Sequence, residues 1–208
     1  MKPTHKTCKC IAWMCLLIAG LTITGCSTKL SPTDYFNEFN SFQSASYIES
    51  NHNGVTYKLQ YRPVEFQALN ALKGTGNVNA DAIQTQIDSF ADRQLYCLRI
   101  QVDSADEDIL RHNLSDEGEY YHRLELLNNK FGVMTWGLSG QDTVHTGFHH
   151  FERTYKIRPF VQVLFSLNDK DGNMPDKLVF EDYIFNHGEP IVFQNIRAYN
   201  NRLPKLGL

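Results

Sequence analysis

The sequence predicts an α+β domain dominated by antiparallel sheet, sandwich-like or curled, with two short helices in its first half. Three observations carry this. Val55, Tyr57, Leu59 and Tyr61, and later Tyr96, Leu98, Ile100 and Val102, recur at a period of two, the repeat of a half-buried strand. Between them, Phe66, Leu69 and Leu72, then Ile83, Ile87 and Phe90, recur at three and four, the repeat of a helix with one apolar stripe. Beyond Val144, short runs rich in Phe, Tyr, Val and Ile alternate with turn residues, a spacing typical of antiparallel architecture.

Taken in order, Tyr35, Phe36, Phe39 and Phe42 have helical spacing and predict a short helix or an apron over the core. Tyr47 to Tyr61 reads as a β-hairpin turning at Asn53-Gly54, two residues that tolerate the positive φ of a type I′ turn. Pro63 opens a helix to about Lys73, with Gly74 as its stop. Asn79 caps a second helix, in which Ala80, Ile83, Ile87, Phe90 and Ala91 share a face. A strand follows over Gln94 to Val102, then an acidic loop over 103–108.

Tyr120 to Leu127 fits either period. With the turn signal Asn128-Asn129 and the strand-like Phe131 to Leu138, it is assigned to a hairpin. From Val144 onward only turns and strands are expected: Val144 to Tyr155, Phe160 to Leu167, Leu178 to Phe185 and Ile191 to Tyr199.

The first 25 residues have a different character. Lys2, Lys6 and Lys9 form a basic head, and Ile11 to Ile23 is an almost unbroken apolar run ending at the small Gly25. That run is shorter than the roughly 20 apolar residues a transmembrane helix needs. Ile23-Thr24-Gly25-Cys26 resembles the lipobox of bacterial lipoproteins. The resemblance covers about the first 27 residues and implies cleavage between Gly25 and Cys26. It also implies a diacylglyceryl thioether on the Cys26 sulfur and acylation of the new α-amine. Two or more acyl chains hold a protein firmly at a bilayer, where one does so only marginally.

The expected organisation is therefore a signal peptide over 1–25, a lipidated Cys26 with a short tether over 26–33, and one globular β-rich domain over 34–208. No later stretch has the length and apolarity to span a membrane. Ser27 follows the Cys, and the first acidic residue is Asp34. Neither the Asp that retains such lipoproteins at an inner membrane nor the acidic run that exports some of them is present. For a cell with two membranes the expected location is the outer membrane, facing the periplasm.

Removing the signal takes the net charge from −3 to −6 and leaves no cluster of Lys or Arg, which argues against a nucleic-acid partner. Of five cysteines, Cys8, Cys10 and Cys15 leave with the signal and Cys26 is consumed by lipid. Cys97 remains, and its neighbours Leu95, Tyr96 and Leu98 predict a buried thiol used as a small hydrophobe.

The residues that could carry chemistry form weak patterns. His145, His149, His150 and Glu152 are the densest potential metal ligands. On a strand, His150 and Glu152 point the same way, roughly 7 Å apart, whereas His145 and His149 share the other face roughly 13 Å apart. A metal at His150 and Glu152 would need a third ligand from elsewhere, since no HExxH or paired-Cys spacing supports it. These histidines are read chiefly as surface or edge residues of a strand, with Glu152 paired to Arg153 or a cross-strand base, and the metal site is the minor reading.

Asp169-x-Asp171-Gly172 fails as a calcium loop, because its first and last ligand positions become Leu167 and Leu178. Asp103, Asp106, Glu107, Asp108, Asp116, Glu117 and Glu119 are expected to be solvated. Ser139 is no nucleophile elbow, because Gln141 stands where a glycine is needed. The 13 Phe and 10 Tyr are read chiefly as core, with a ligand platform as the minor reading. These features predict a lipid-anchored envelope protein, more binding or scaffolding module than enzyme, with the bilayer and an envelope protein or glycan as partners. No cofactor is expected beyond the covalent lipid. The alternatives are a metal-dependent periplasmic enzyme at His150 and Glu152, or a glycan or small-ligand binder.

Overall fold

The computed structural model describes residues 29–43, 46–76, 78–91, 93–102, 108–153, 158–168 and 174–208. The lipobox and the 169–172 turn lie outside these, as does the acidic stretch 103–107. The elements run β1 (Lys29–Leu30), α1 (Pro32–Asn40), β2 (Ile48–His52), β3 (Val55–Arg62), α2 (Val64–Leu72), α3 (Ala80–Phe90) and β4 (Leu95–Val102). There follow a 3₁₀ turn (Ile109–Arg111), α4 (Glu117–Glu125), a wide π turn (Leu126–Lys130) and α5 (Phe131–Met134). The chain continues through β5 (Thr135–Ser139), β6 (Asp142–Glu152), β7 (Phe160–Leu167), β8 (Lys177–Asp182), β9 (Glu189–Gln194), α6 (Ile196–Asn200) and β10 (Lys205–Leu206).

Eight strands form one antiparallel sheet in the order β2-β3-β4-β7-β6-β5-β8-β9. The fold class is α+β as predicted, and the sheet is curled rather than split into a sandwich. Its edge strands β2 and β9 approach one another without a ladder, so the sheet is nearly a barrel. The corner lies on β6, whose first residues pair with β5 and whose later ones pair with β7 across a bulge between Thr146 and Phe148. Gly147 makes the bulge possible: a Cβ there would stand 1.9 Å from the Asn168 Oδ1.

The near-closure is tied by a buried cluster. Asp182 at the end of β8 is fully buried and accepts hydrogen bonds from the Ile184 and Phe185 backbone N–H groups at 2.9 and 3.2 Å. It also accepts from the Tyr57 hydroxyl of β3 and from the Asn186 amide at 2.8 Å. Asn53, in the β2–β3 turn at φ 51°, donates to the Asn186 Oδ1 at 2.9 Å. Residues more than a hundred positions apart in the chain are thereby joined across the seam.

The inner face of the sheet carries Tyr57, Leu59, Tyr96, Leu98, Ile100, Val163, Phe165 and Phe180, and the run α4–α5 fills its hollow. Phe131, fully buried, lies 5.3 Å from the Phe165 ring and 5.6 Å from the Phe180 ring. This overturns the hairpin expected over Tyr120 to Leu138. Tyr120, Leu124, Leu127, Phe131 and Met134 keep steps of four and three and face the core, while Asn128 and Asn129 stay exposed on the far side.

The helix start was also written in the sequence. Asp116 Oδ1 accepts from the Glu119 N–H at 2.9 Å, and the Glu119 carboxylate accepts from the Ser115 N–H at 2.8 Å, a reciprocal cap. Two other expectations need correction. Ile191 to Tyr199 is a strand only to Gln194, because Asn195 adopts φ 59° and starts α6. The 26–33 tether is partly structured, since Lys29 and Leu30 pair in parallel with Lys205 and Leu206, and Pro32 begins α1 under a Ser31 cap. Beyond the two predicted helices the described residues thus add α4, α5 and α6, and α1 takes the helical form of the short helix or apron expected from Tyr35 to Phe42.

A second, smaller core forms where α1, α2 and α3 meet the end of β3: Tyr35, Phe39, Phe66, Leu69, Leu72, Ile83 and Leu203. Asn79 caps α3 as expected, accepting from the Ala82 N–H at 2.8 Å. No helix among the described residues is long and apolar enough to cross a membrane.

Candidate functional site

The outer face of the sheet carries the functional candidate, and the strand register builds it rung by rung. Arg62 on β3 stands opposite Leu95 on β4, which stands opposite Ser166 on β7. Two residues along, Gln60, Cys97, Leu164 and His150 form the next rung, and Lys58, Arg99, Gln162 and Glu152 the one after. The last rung is hydrogen-bonded in series: Arg99 Nη2 donates to Gln162 Oε1 at 3.4 Å, and Gln162 Nε2 donates to Glu152 Oε2.

Helix α1 and the turn after it roof part of this face. Phe42 adopts a left-handed backbone at φ 52°, a conformation that costs an L-residue about 1–2 kcal/mol. Its ring lies 3.6 Å from the Arg99 guanidinium and 5.2 Å from that of Arg62. Phe160 covers Arg99 from the other side at 3.7 Å, and Phe66 covers Arg62 at 4.6 Å. Aromatic faces stand where carboxylates ordinarily would, each such contact contributing about 0.5–2 kcal/mol. Among the described residues neither arginine has a carboxylate within salt-bridge distance.

Beside this roof opens a cleft of about 440 Å³. Its lining mixes the apolar Phe66, Phe90, Leu95 and Leu164 with Arg62, Arg93, Arg158, Gln162 and Glu152, and the Arg93 guanidinium lies 4.9 Å from the Phe90 ring. Arg62 is only 7% exposed. Its Nη1 donates to the Phe39 carbonyl at 3.2 Å, and its buried Nε has no partner. Arg93 and Arg158 are exposed at the mouth. Burial first, with the Arg62 and Arg158 charges adding to it and Cys97 and Glu152 opposing, holds the Arg99 guanidinium down to about 10. The region therefore concentrates positive charge in a chain whose net charge is −3. A second concavity, of about 500 Å³ beside Tyr35 and Tyr61, is lined by one acid, Glu65, and one base, Lys205, and has no such excess.

The predicted candidates fall as follows. Glu152 lines the cleft, and His150, exposed, lies on the next rung beside Leu164. They share the outer face, as strand alternation requires. His145 and His149 do not share a face: the bulge reverses the alternation, and His149 turns inward to lie 5.8 Å from the Phe131 ring with its Nε2 3.0 Å from the Asn128 carbonyl. No three His, Cys, Asp or Glu side chains among the described residues gather to hold a metal ion. Asp108 and Asp116, expected to be merely solvated, cap helical turns, and Ser139 ends β5.

Cys97 is fully buried and unpaired on β4. Burial pushes its thiol pKa up, partly opposed by the neighbouring Arg62. The arginines went unnoticed in the sequence because Arg62, Arg93, Arg99 and Arg158 are scattered along the chain. Their one signal is that Arg62 and Arg99 both sit in strands at polar positions of an otherwise clean alternation. Compared with known proteins, the chain matches no family model, no curated protein and no solved structure.

Proposed function

We propose that this chain is a lipid-anchored cell-envelope protein with a non-enzymatic binding role, whose recognition site is the arginine cleft. The anchor reading rests on Ile23-Thr24-Gly25-Cys26 and the basic and apolar segments before it. The binding reading rests on one observation: a cleft in which a buried guanidinium and two exposed ones share the lining with apolar side chains. Uncompensated, partly desolvated cations beside apolar surface are what a recognition site needs, because a complementary partner gains from both. Covalent lipid on Cys26 holds the domain at the bilayer. The sorting pattern after the Cys favours the outer membrane, with the domain in the periplasm, where an envelope protein or glycan is within reach.

The test is photocrosslinking in intact cells from a reactive residue at Asn70, on the exposed rim of the cleft, beside a control at Tyr121, which is 63% exposed elsewhere on the surface. A discrete adduct from position 70 and none from 121 is expected. Equal patterns from the two positions overturn the cleft as the recognition site. Labelled palmitate should enter the protein and be lost in Cys26→Ala; incorporation that survives this change overturns the anchor. Protease treatment of unbroken cells should spare the domain, and its loss would place the domain on the cell surface.

A further inference from the structure

We infer that the arginine cleft binds an organic oxyanion, a carboxylate or phosphate carried on an apolar body, gripped by Arg93 and Arg158 at the mouth above the buried Arg62. The inference rests on the binding role proposed above and specifies the ligand chemistry.

Four features lead to it. The first is charge. Three guanidiniums line the cleft against one carboxylate, Glu152, which is already engaged by Gln162. Arg99 lies beneath on the same rung as Gln162, so an anion entering the cleft relieves repulsion among four cations. The second is desolvation. Arg62 lines the cleft at only 7% exposure, held by the Phe39 carbonyl and by aromatic rings with no carboxylate in salt-bridge range among the described residues. The third is shape. The planar fork of arginine matches carboxylate and phosphate oxygens, and charge-assisted bonds of this kind are the strong ones. The fourth is the apolar part of the lining. Phe66, Phe90, Leu95 and Leu164 offer nothing to a bare inorganic ion but would bury an apolar group attached to the anion. A volume of about 440 Å³ lies within the range of small-ligand sites and suits a ligand the size of an acylated amino acid.

The test uses the full lipidated chain in non-ionic detergent, with calorimetric titration of four probes: N-acetylphenylalanine, its neutral amide, phenyl phosphate and inorganic phosphate. N-acetylphenylalanine or phenyl phosphate should bind, with the amide and inorganic phosphate at least about tenfold weaker, the equivalent of one charge-assisted bond. The tighter of the two binders identifies the source: a carboxylate such as a peptide terminus, or a phosphate monoester such as a lipid headgroup. Affinity should fall as salt is raised.

Arg158→Gln and Arg93→Gln, both at exposed positions where folding is not at issue, should each weaken binding about tenfold, whereas Arg202→Gln, exposed and outside the cleft, should not. An amide that binds as tightly as the acid overturns the inference, as does inorganic phosphate equal to phenyl phosphate. So does an equal effect of Arg202→Gln, or no binding of any probe. These titrations contain no cellular partner. Their failure with the position-70 adduct intact refutes the oxyanion alone; probe binding without an adduct refutes the envelope role alone.

Discussion

Removing the Asp182 carboxylate should unfasten the barrel seam. In Asp182→Ala four donors lose their acceptor: the Tyr57 hydroxyl, the Asn186 amide, and the backbone N–H groups of Ile184 and Phe185. Tyr57, Asn186 and Ile184 are buried, so three of these have no water to turn to, while half-buried Phe185 recovers solvent. A stranded buried donor costs about 1–3 kcal/mol, so three cost several kcal/mol, less what is regained by no longer burying a carboxylate. We expect a loss of about 4 kcal/mol of unfolding free energy in denaturant titrations of the chain lacking residues 1–25. Tyr57→Phe removes two bonds, the one donated to the carboxylate and the one its oxygen accepts from the Asn186 amide at 2.6 Å, and should cost about 2.5 kcal/mol. In the Asp182→Ala background it should cost only about 1 kcal/mol, because the hydroxyl has already lost its acceptor and keeps only the bond from the Asn186 amide. The coupling of about 1.5 kcal/mol is the signature of one shared network. Equal costs of Tyr57→Phe in both backgrounds, or a cost of Asp182→Ala below about 1 kcal/mol, would refute this account of the seam.

Two further outcomes follow from the same geometry. Cys97, fully buried with its thiol pKa pushed up, should react slowly with a thiol reagent in the native chain and rapidly once unfolded; prompt native labelling would contradict its placement on β4. The Glu119 carboxylate is held down, to about 2, first by the Ser115 backbone N–H, then by the Ser115 hydroxyl and Arg123. With its folded value below the ordinary 4.5, its contribution is present above that value and is lost as pH falls towards 2. Glu119→Gln should therefore lower the melting temperature at about pH 6 and lose its effect near pH 2; an unchanged difference across that range would exclude the reciprocal cap as its cause.

The sequence by itself determined whatever depends on residues near one another in the chain. Asn53-Gly54 and the alternation from Val55 to Tyr61 fixed a hairpin, because register follows from the turn and from which face must be buried. Pro63 and Gly74 bounded one helix through their backbone preferences, and Asn79 began the next by accepting from the Ala82 N–H. At Tyr120 to Met134 two periods competed. There the tertiary structure chose the helix, because a curled sheet leaves a hollow that only a stripe carrying Leu127 and Phe131 fills.

The faces of His145 and His149 depended on one bulged residue, which strand periodicity cannot register. The arginine cleft was beyond the reach of the sequence for a simpler reason. Arg62, Arg93, Arg99 and Arg158 come together only once β3, β4 and β7 pair, and the Phe42 turn folds over Arg62 and Arg99 alone. Charge–charge interaction depends on distance in space, and strand pairing, not chain order, sets that distance.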